Sequence, residues 1–234
     1  MDTADAVAAT ENLIDQGARD RVTVAGADAC SYLQSQISQE IRDLELGAAR
    51  WTFVLDPSGK IDALARVQRT ADDVFVLDTD AGFGATLLAR LDRFKIRVDA
   101  ETTLDEADAA PSLGHELARI SAGWPRMGHE IEPGSTIPAS TGIVHLAVDR
   151  AKGCYPGQEL VERMDSRGAD APRSLRIVDL DSNPDRSQAV GDPVHDADGT
   201  EVGTITSVAG EGGVGLALVR RGAEVGRLPD HVAT

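Results

Sequence analysis

The sequence predicts an α+β protein with mostly antiparallel sheets and a small β-barrel at its C-terminal end. The patterns of the first hundred residues follow the order β-α-β-β-β-α-β, and strands joined by short turns pair antiparallel. Beyond Pro172, short strands are separated by Gly- and Asp-rich turns, a spacing typical of a barrel. The chain has 234 residues, of which 41% are hydrophobic, and this is enough for a buried core.

Local patterns predict each N-terminal element. Arg21–Ala25 alternates as a strand does, and Gly26-Ala27-Asp28 then interrupts the strand and caps a helix over Asp28–Gln36. Cys30 lies on the apolar side of this helix and is predicted to be a small core residue. Asp56-Pro57-Ser58-Gly59 is a strong turn signal between two further strands. The other predicted elements are strands at Arg50–Leu55, Ile61–Gln68, Val74–Leu77 and Ile96–Ala100, and a helix at Phe83–Phe94.

The rest of the chain divides into two regions. Thr103–Ser112 is acidic and Ala-rich, which is typical of a connector, and the middle of the chain then mixes turns with one helix starting near Gly157. The predicted domains are an N-terminal α+β lobe at 1–103, a connector with a reduced second lobe at 104–171, and the barrel at 172–234. The predicted barrel strands are Leu175–Leu180, Val202–Val208 and Val214–Val219.

Charge and composition exclude several classes of function. There are 39 acidic and 23 basic residues, so the formal charge is 23 − 39 = −16, which disfavours direct binding of nucleic acid or of an anionic membrane. The acidic first residues lack a signal-peptide core and no apolar run reaches membrane-span length, so we expect a cytoplasmic protein. Two cysteines cannot supply four cluster thiolates, and the five scattered histidines predict no metal site.

One segment, Lys152–Glu159, concentrates rare residues. It holds one of three lysines, one of two cysteines and one of two tyrosines, in a Gly/Pro-rich loop that leads into a helix. A helix N-terminus and a nearby ammonium both favour a thiolate or a bound anion, which makes Cys154 a candidate functional thiol. Lone cysteines in loops are also commonly packed and inert. From the residues alone, both interpretations of Cys154 stay open.

The segment Lys-Gly-Cys-Tyr-Pro-Gly-Gln-Glu at 152–159 resembles the signature of the YgfZ family of folate-binding proteins, which is related to the glycine-cleavage T-protein, an aminomethyltransferase. Supporting matches occur in the expected order along the chain. They are Val22–Asp28 with Tyr32–Gln36, Asp56–Lys60, Arg119–Pro125 and Arg167-Gly168.

The resemblance implies lobes of the glycine-cleavage T-protein type, a C-terminal barrel and a central folate pocket. It also implies a function in assembly or repair of iron–sulfur clusters in client enzymes, including tRNA-modifying ones, with tetrahydrofolate or a related folate as the ligand. Cys154 would be the functional thiol, and Lys152 its electrostatic partner or the contact for a folate carboxylate. The residues that the resemblance assigns to folate are Lys152, Gly153, Cys154, Tyr155, Gly157, Gln158, Glu159 and Arg163.

Two alternatives to this accessory function follow from where the chain departs from the family. The chain is short between Ala100 and Glu116, so a homodimer could complete the folate pocket, or the chain could be an interaction module that has lost folate. A tetrahydrofolate-dependent aminomethyl or methyl transferase or demethylase is the other alternative. Such a reaction needs a carboxylate near the folate nitrogen; the transferase relatives carry paired aspartates there, and this chain has the single acid Asp62 at a shifted offset.

Overall fold

Two antiparallel sheets organise the protein in the computed structural model, which describes residues 18–108, 113–166, 171–180, 188–209 and 213–229. The first sheet has the strand order β2-β3-β4-β1-β5, and the second has the order β6-β9-β8-β7. Within the described ranges, no helix combines the length and apolarity needed to cross a membrane.

The first sheet and its two helices confirm the predicted order β-α-β-β-β-α-β. The elements are β1 (Arg19–Ala25), α1 (Ala29–Gln36), β2 (Ala49–Leu55), β3 (Ile61–Ala71), β4 (Val74–Asp80), α2 (Gly84–Arg93) and β5 (Glu101–Asp105). Alternate residues such as Val22 and Val24 are fully buried, as are Leu87 and Leu91 one helical turn apart on α2. Cys30 packs half-buried against this core, as predicted, and burial raises the pKa of its thiol.

The strand predicted at Ile96–Ala100 is wrong, because the last strand of this sheet lies at Glu101–Asp105. Arg97 has a φ of 56°, in the left-handed region, and the side chain of Ile96 is 74% exposed, so the chain turns there. Strand β5 pairs antiparallel with β1, and Leu104 lies opposite Val22. It occupies the start of the predicted connector and crosses the predicted boundary at 103/104; the domain boundaries themselves stay predictions.

The middle of the chain is more helical than predicted. It contains α3 (Leu113–Ala122), a 3-10 turn (Pro138–Ser140), the short α4 (Val144–Ala147) and α5 (Gln158–Ser166). The helix predicted to start near Gly157 is confirmed, whereas α3 was not predicted. Arg167-Gly168, one of the supporting matches, lies outside the described residues.

The C-terminal region forms an open sheet, so its described residues do not confirm the predicted barrel. Its strands are β6 (Arg173–Asp179), β7 (Pro193–His195), β8 (Glu201–Val208) and β9 (Val214–Arg220). Four strands are too few to close a barrel around side chains, and β6 and β7 remain edges among the described strands. The three predicted strands are present, and the short edge strand β7 comes from a stretch that reads as a solvated turn.

A buried ion pair joins α3 to the C-terminal sheet. Arg119 Nη1 lies 3.0 Å from Glu130 Oε2, and these two side chains are 3% and 1% exposed. Glu130 Oε1 accepts hydrogen bonds from the hydroxyls of Ser207, at 2.6 Å, and Thr206, at 2.7 Å, both on β8. The backbone N–H of Arg126 completes the set of donors to this carboxylate. Both carboxylate oxygens of Glu130 have hydrogen-bond donors, so the buried charges are compensated. This network fixes the position of the second sheet against α3.

Candidate functional site

The segment 152–159 lies against the first lobe, where Lys152 fastens it. The Lys152 ammonium donates to three backbone oxygens, those of Gln34 at 2.8 Å, Ile37 at 2.5 Å and Gln39 at 3.1 Å. An ammonium has three protons, so its whole donor capacity is used on carbonyls at and beyond the C-terminal end of α1. In this geometry Lys152 anchors the loop, and no proton is left to meet a thiolate or a folate carboxylate.

Two glycines, about a hundred residues apart in the chain, bring the two predicted turn segments together. Gly157 has a φ of 80°, and a Cβ there would lie 2.5 Å from Asp56 O and 2.8 Å from Gly59 Cα. Gly59 has a φ of 88°, and a Cβ there would lie 2.5 Å from Leu160 Cβ. Both positions need glycine for conformation and for space. The loop that carries Cys154 therefore packs directly against the Asp56–Lys60 turn.

Ser38 makes a further attachment, which the sequence did not point to. Its hydroxyl donates to Ala147 O at 2.6 Å and accepts from the N–H of Phe53 at 2.8 Å, and its carbonyl accepts from the N–H of Asp149 at 3.0 Å. The side-chain amide of Gln39 also donates to Leu146 O at 2.9 Å. The signal available in the sequence is a serine between apolar Ile37 and Ile41 in a short segment after α1, which is not specific.

The residues predicted for the site divide into an anchoring set and an exposed set. Tyr155 is buried beneath the Lys152 ammonium, which lies 5.2 Å from its ring centroid, and burial raises the pKa of Tyr155 to about 12. The Gln158 side chain turns back and accepts the Tyr155 N–H at 3.1 Å. Lys152, Tyr155, Gly157 and Gln158 thus hold the loop, and the exposed set is Gly153, Cys154, Glu159 and Arg163.

Cys154 is the exposed thiol of this arrangement. It stands between exposed Gly153 and buried Tyr155, four residues before α5 begins at Gln158. Among the residues that the structure describes, no three His, Cys, Asp or Glu side chains are grouped so as to hold a metal ion.

Of the residues predicted to hold folate, Lys152 does not fit the contact expected of it, and the remaining assignments stay predictions. The protons of Lys152 are committed to carbonyls, and none of the residues 152–159 lines the cavity of about 430 Å³ between the middle region and the C-terminal sheet. Asp62, the carboxylate considered for a transferase reaction, is paired with the buried Arg90, whose Nε lies 3.2 Å from Asp62 Oδ2. A carboxylate held in this way is not a free base for a transfer reaction.

Lys152→Met is expected to lower the free energy of unfolding by about 2 kcal/mol near neutral pH, because three carbonyls lose a charged donor. Burial lowers the pKa of Lys152 from 10.5 to about 8. The folded protein therefore releases this proton at lower pH than the unfolded chain, and the lysine's contribution to stability rises from pH 8 to 10.5. Urea unfolding of wild type and variant across this range measures both effects.

The control for this experiment is Lys60→Met, because the Lys60 ammonium donates to a single carbonyl, that of Ser135, at 2.9 Å. We expect this variant to lose less stability than Lys152→Met. A gap between wild type and Lys152→Met that stays constant from pH 8 to 10.5 would contradict the expected titration.

The fold is that of the glycine-cleavage T-protein. The crystal structure of the glycine cleavage system aminomethyltransferase T from Bartonella henselae matches with a TM-score of 0.72, at 13% sequence identity, over 91% of this chain and 81% of that one. The fold type implied by the resemblance at 152–159 is thereby confirmed. No family model matches the sequence.

Two proteins resemble this chain in sequence over most of its length. The chain is 25% identical over 235 residues to an uncharacterized protein of Haemophilus influenzae, covering 82% of each. It is also 25% identical over 269 residues to the mitochondrial iron–sulfur cluster assembly factor IBA57 homolog of Pyricularia oryzae, covering 85% of this chain and 69% of the relative.

Proposed function

We propose that this protein is an accessory factor for iron–sulfur cluster assembly, in which Cys154 is the thiol presented to the cluster. The observation that carries the proposal is an exposed cysteine on a loop held by three ammonium–carbonyl hydrogen bonds and a glycine–glycine contact. An exposed thiol on a loop that is anchored in this way is arranged for a defined contact. Similarity to a cluster assembly factor supplies the chemical class of that contact.

The chemistry follows from the thiol. A thiolate is the ordinary protein ligand of cluster iron, and a four-iron cluster takes four of them. One cysteine therefore offers one ligand to a cluster in transit, and the donor or client protein supplies the others. Residues 149–176 contain six basic and five acidic side chains, a local charge of +1 in a chain of −16, which reduces repulsion of an anionic thiolate-bound cluster.

Folate is not part of this proposal, because the ammonium of Lys152, to which the resemblance assigns the folate carboxylate, is committed to backbone carbonyls. The ion pair of Asp62 with Arg90 likewise favours an accessory role over a one-carbon transferase. The identity of the client enzyme, whether a tRNA-modifying enzyme or another, is left to the experiment. The expected compartment is the cytoplasm.

Cys154→Ser is expected to abolish the support of cluster enzymes, because serine keeps the size of the side chain and removes the soft sulfur ligand. The measurement is the specific activity of a four-iron dehydratase in a bacterial host that lacks its own relative of this chain. Wild type should restore the activity, and Cys154→Ser should leave it at the level of the empty vector.

The matched control is Cys30→Ser, since Cys30 is the other thiol of the chain and packs half-buried against the first core. It should restore activity at equal protein level. Restoration by Cys154→Ser equal to that by wild type would overturn the role given to the thiol.

A further inference from the structure

A cavity of about 430 Å³ lies between the middle region and the C-terminal sheet. One side is formed by the 3-10 turn Pro138–Ser140 and by α4, another by α5, and the opposite side by strand β6. This volume is within the range of small-molecule pockets. The cavity is separate from the Cys154 site, because its lining begins on α5 only at Leu160.

The walls of the cavity are mainly apolar. An aliphatic or aromatic body placed there would lose its contact with water against branched and thioether side chains. The apolar lining residues are Ile137, Pro138, Ala139, Val144, Leu160, Val161, Met164, Ala171, Leu175 and Leu228.

The charged part of the lining has one sign. Arg150, Arg176 and Arg221 line the cavity together with His145, and no lining residue in the described part of the chain is acidic. The whole chain carries 39 acidic against 23 basic residues, so this lining reverses the balance of the protein. A positive group of arginines beside apolar walls attracts an anion, and the planar guanidinium suits carboxylate and phosphate oxygens.

Arg176 adds an unsatisfied donor. Its Nε is buried and has no hydrogen-bond acceptor in the structure. The residue lies on β6 between buried Leu175 and Ile177, so the strand fixes the position of its Cα and Cβ atoms. A buried N–H without an acceptor is costly, and an acceptor atom of a ligand in the cavity would remove that cost.

We propose that this cavity binds an amphipathic organic anion, a molecule with an apolar body and a carboxylate, sulfonate or phosphate group. The body would occupy the space between Leu160, Met164 and Leu175, and the anionic group would accept from Arg176. The site is independent of the iron–sulfur role, since it uses neither Cys154 nor its anchoring residues.

The test uses two fluorescent probes of nearly the same shape, the anion 8-anilinonaphthalene-1-sulfonate and its neutral analogue N-phenyl-1-naphthylamine. Wild-type protein should bind the anion about tenfold more tightly than the neutral probe, the effect of one charge-assisted hydrogen bond. Arg176→Met should weaken binding of the anion by about the same factor and leave the neutral probe unchanged. Arg173→Met, an exposed arginine on the same strand, should change neither.

A second variant tests the volume of the site. Ala139→Phe places a ring in the cavity from the 3-10 turn and should reduce binding of both probes, while leaving the urea midpoint close to that of wild type. The proposal is overturned if the anion and the neutral probe bind wild type equally, if Arg176→Met and Arg173→Met behave alike, or if Ala139→Phe folds and binds both probes as wild type does.

Discussion

Gly157→Ala is expected to destabilise the protein by about 2–5 kcal/mol, since a left-handed backbone conformation costs an L-residue about 1–2 kcal/mol and overpacking adds about 1–3. The φ of Gly157 is 80°, and the added Cβ would meet Asp56 O at 2.5 Å and Gly59 Cα at 2.8 Å. Both atoms belong to backbone, so they cannot move aside as the end of a flexible side chain can. Urea unfolding measures the loss.

Gly153→Ala is the matched control, four residues away in the same loop. A Cβ at Gly153 would have no atom within 4 Å, and its φ lies outside the left-handed region. We expect its free energy of unfolding to stay within about 0.5 kcal/mol of wild type. Gly157 allows the loop that carries Cys154 to pack against the first lobe. Gly157→Ala should therefore displace this loop and also reduce cluster-enzyme activity in the complementing host. Equal stability of the two alanine variants would refute the close approach of Gly157 to Gly59.

Glu130→Ala is expected to cost about 3 kcal/mol, the lower end of the usual effect of removing one partner of a buried ion pair, because Arg119 keeps a second carboxylate. The substitution leaves Arg119, whose side chain is 3% exposed, with one carboxylate, that of Glu116 at 3.0 Å, in place of two. It also removes the acceptor of the Ser207 and Thr206 hydroxyls. The C-terminal sheet should therefore loosen from α3, and limited proteolysis with urea unfolding would record the change.

Glu132→Ala is the comparison for this experiment, because Glu132 is two residues away and exposed. Its loss should change stability by no more than about 0.5 kcal/mol. If Glu130→Ala unfolded at the same urea concentration as Glu132→Ala, the pair with Arg119 would not be what holds the second sheet in place.

Much of the first sheet could be predicted from the sequence, because turns and periodicity are local. Asp56-Pro57-Ser58-Gly59 marks a turn through residues that are neighbours in the chain, and the apolar stripe of α2 recurs at helical spacing. Strand β5 was misplaced because Ile96–Ala100 has the local pattern of a short strand, whereas the acidic stretch from Thr103 has that of a connector. Pairing of Leu104 with Val22 decides between them, and that pairing joins residues about eighty positions apart.

The sequence located the segment that forms the candidate site but did not predict the contacts that its side chains make. Rare residue types and a specific resemblance pointed to 152–159, and the structure places Cys154 on its exposed side. The role of Lys152 could not be predicted, since a lysine beside a cysteine in sequence suggests a partner for the thiolate. Its acceptors are carbonyls of Gln34, Ile37 and Gln39, which carry no side-chain signal.

The sequence by itself determined the order of most strands and helices, the acidic character of the surface and the position of the loop that carries Cys154. These properties depend on composition and on residues close together in the chain. Only the tertiary structure decided that Lys152 is an anchor, that Gly157 packs against Gly59, and that the described C-terminal strands form an open sheet beside a cavity lined by arginines. Each of these depends on backbone contacts or packing between distant residues, for which side-chain identity alone gives no local pattern.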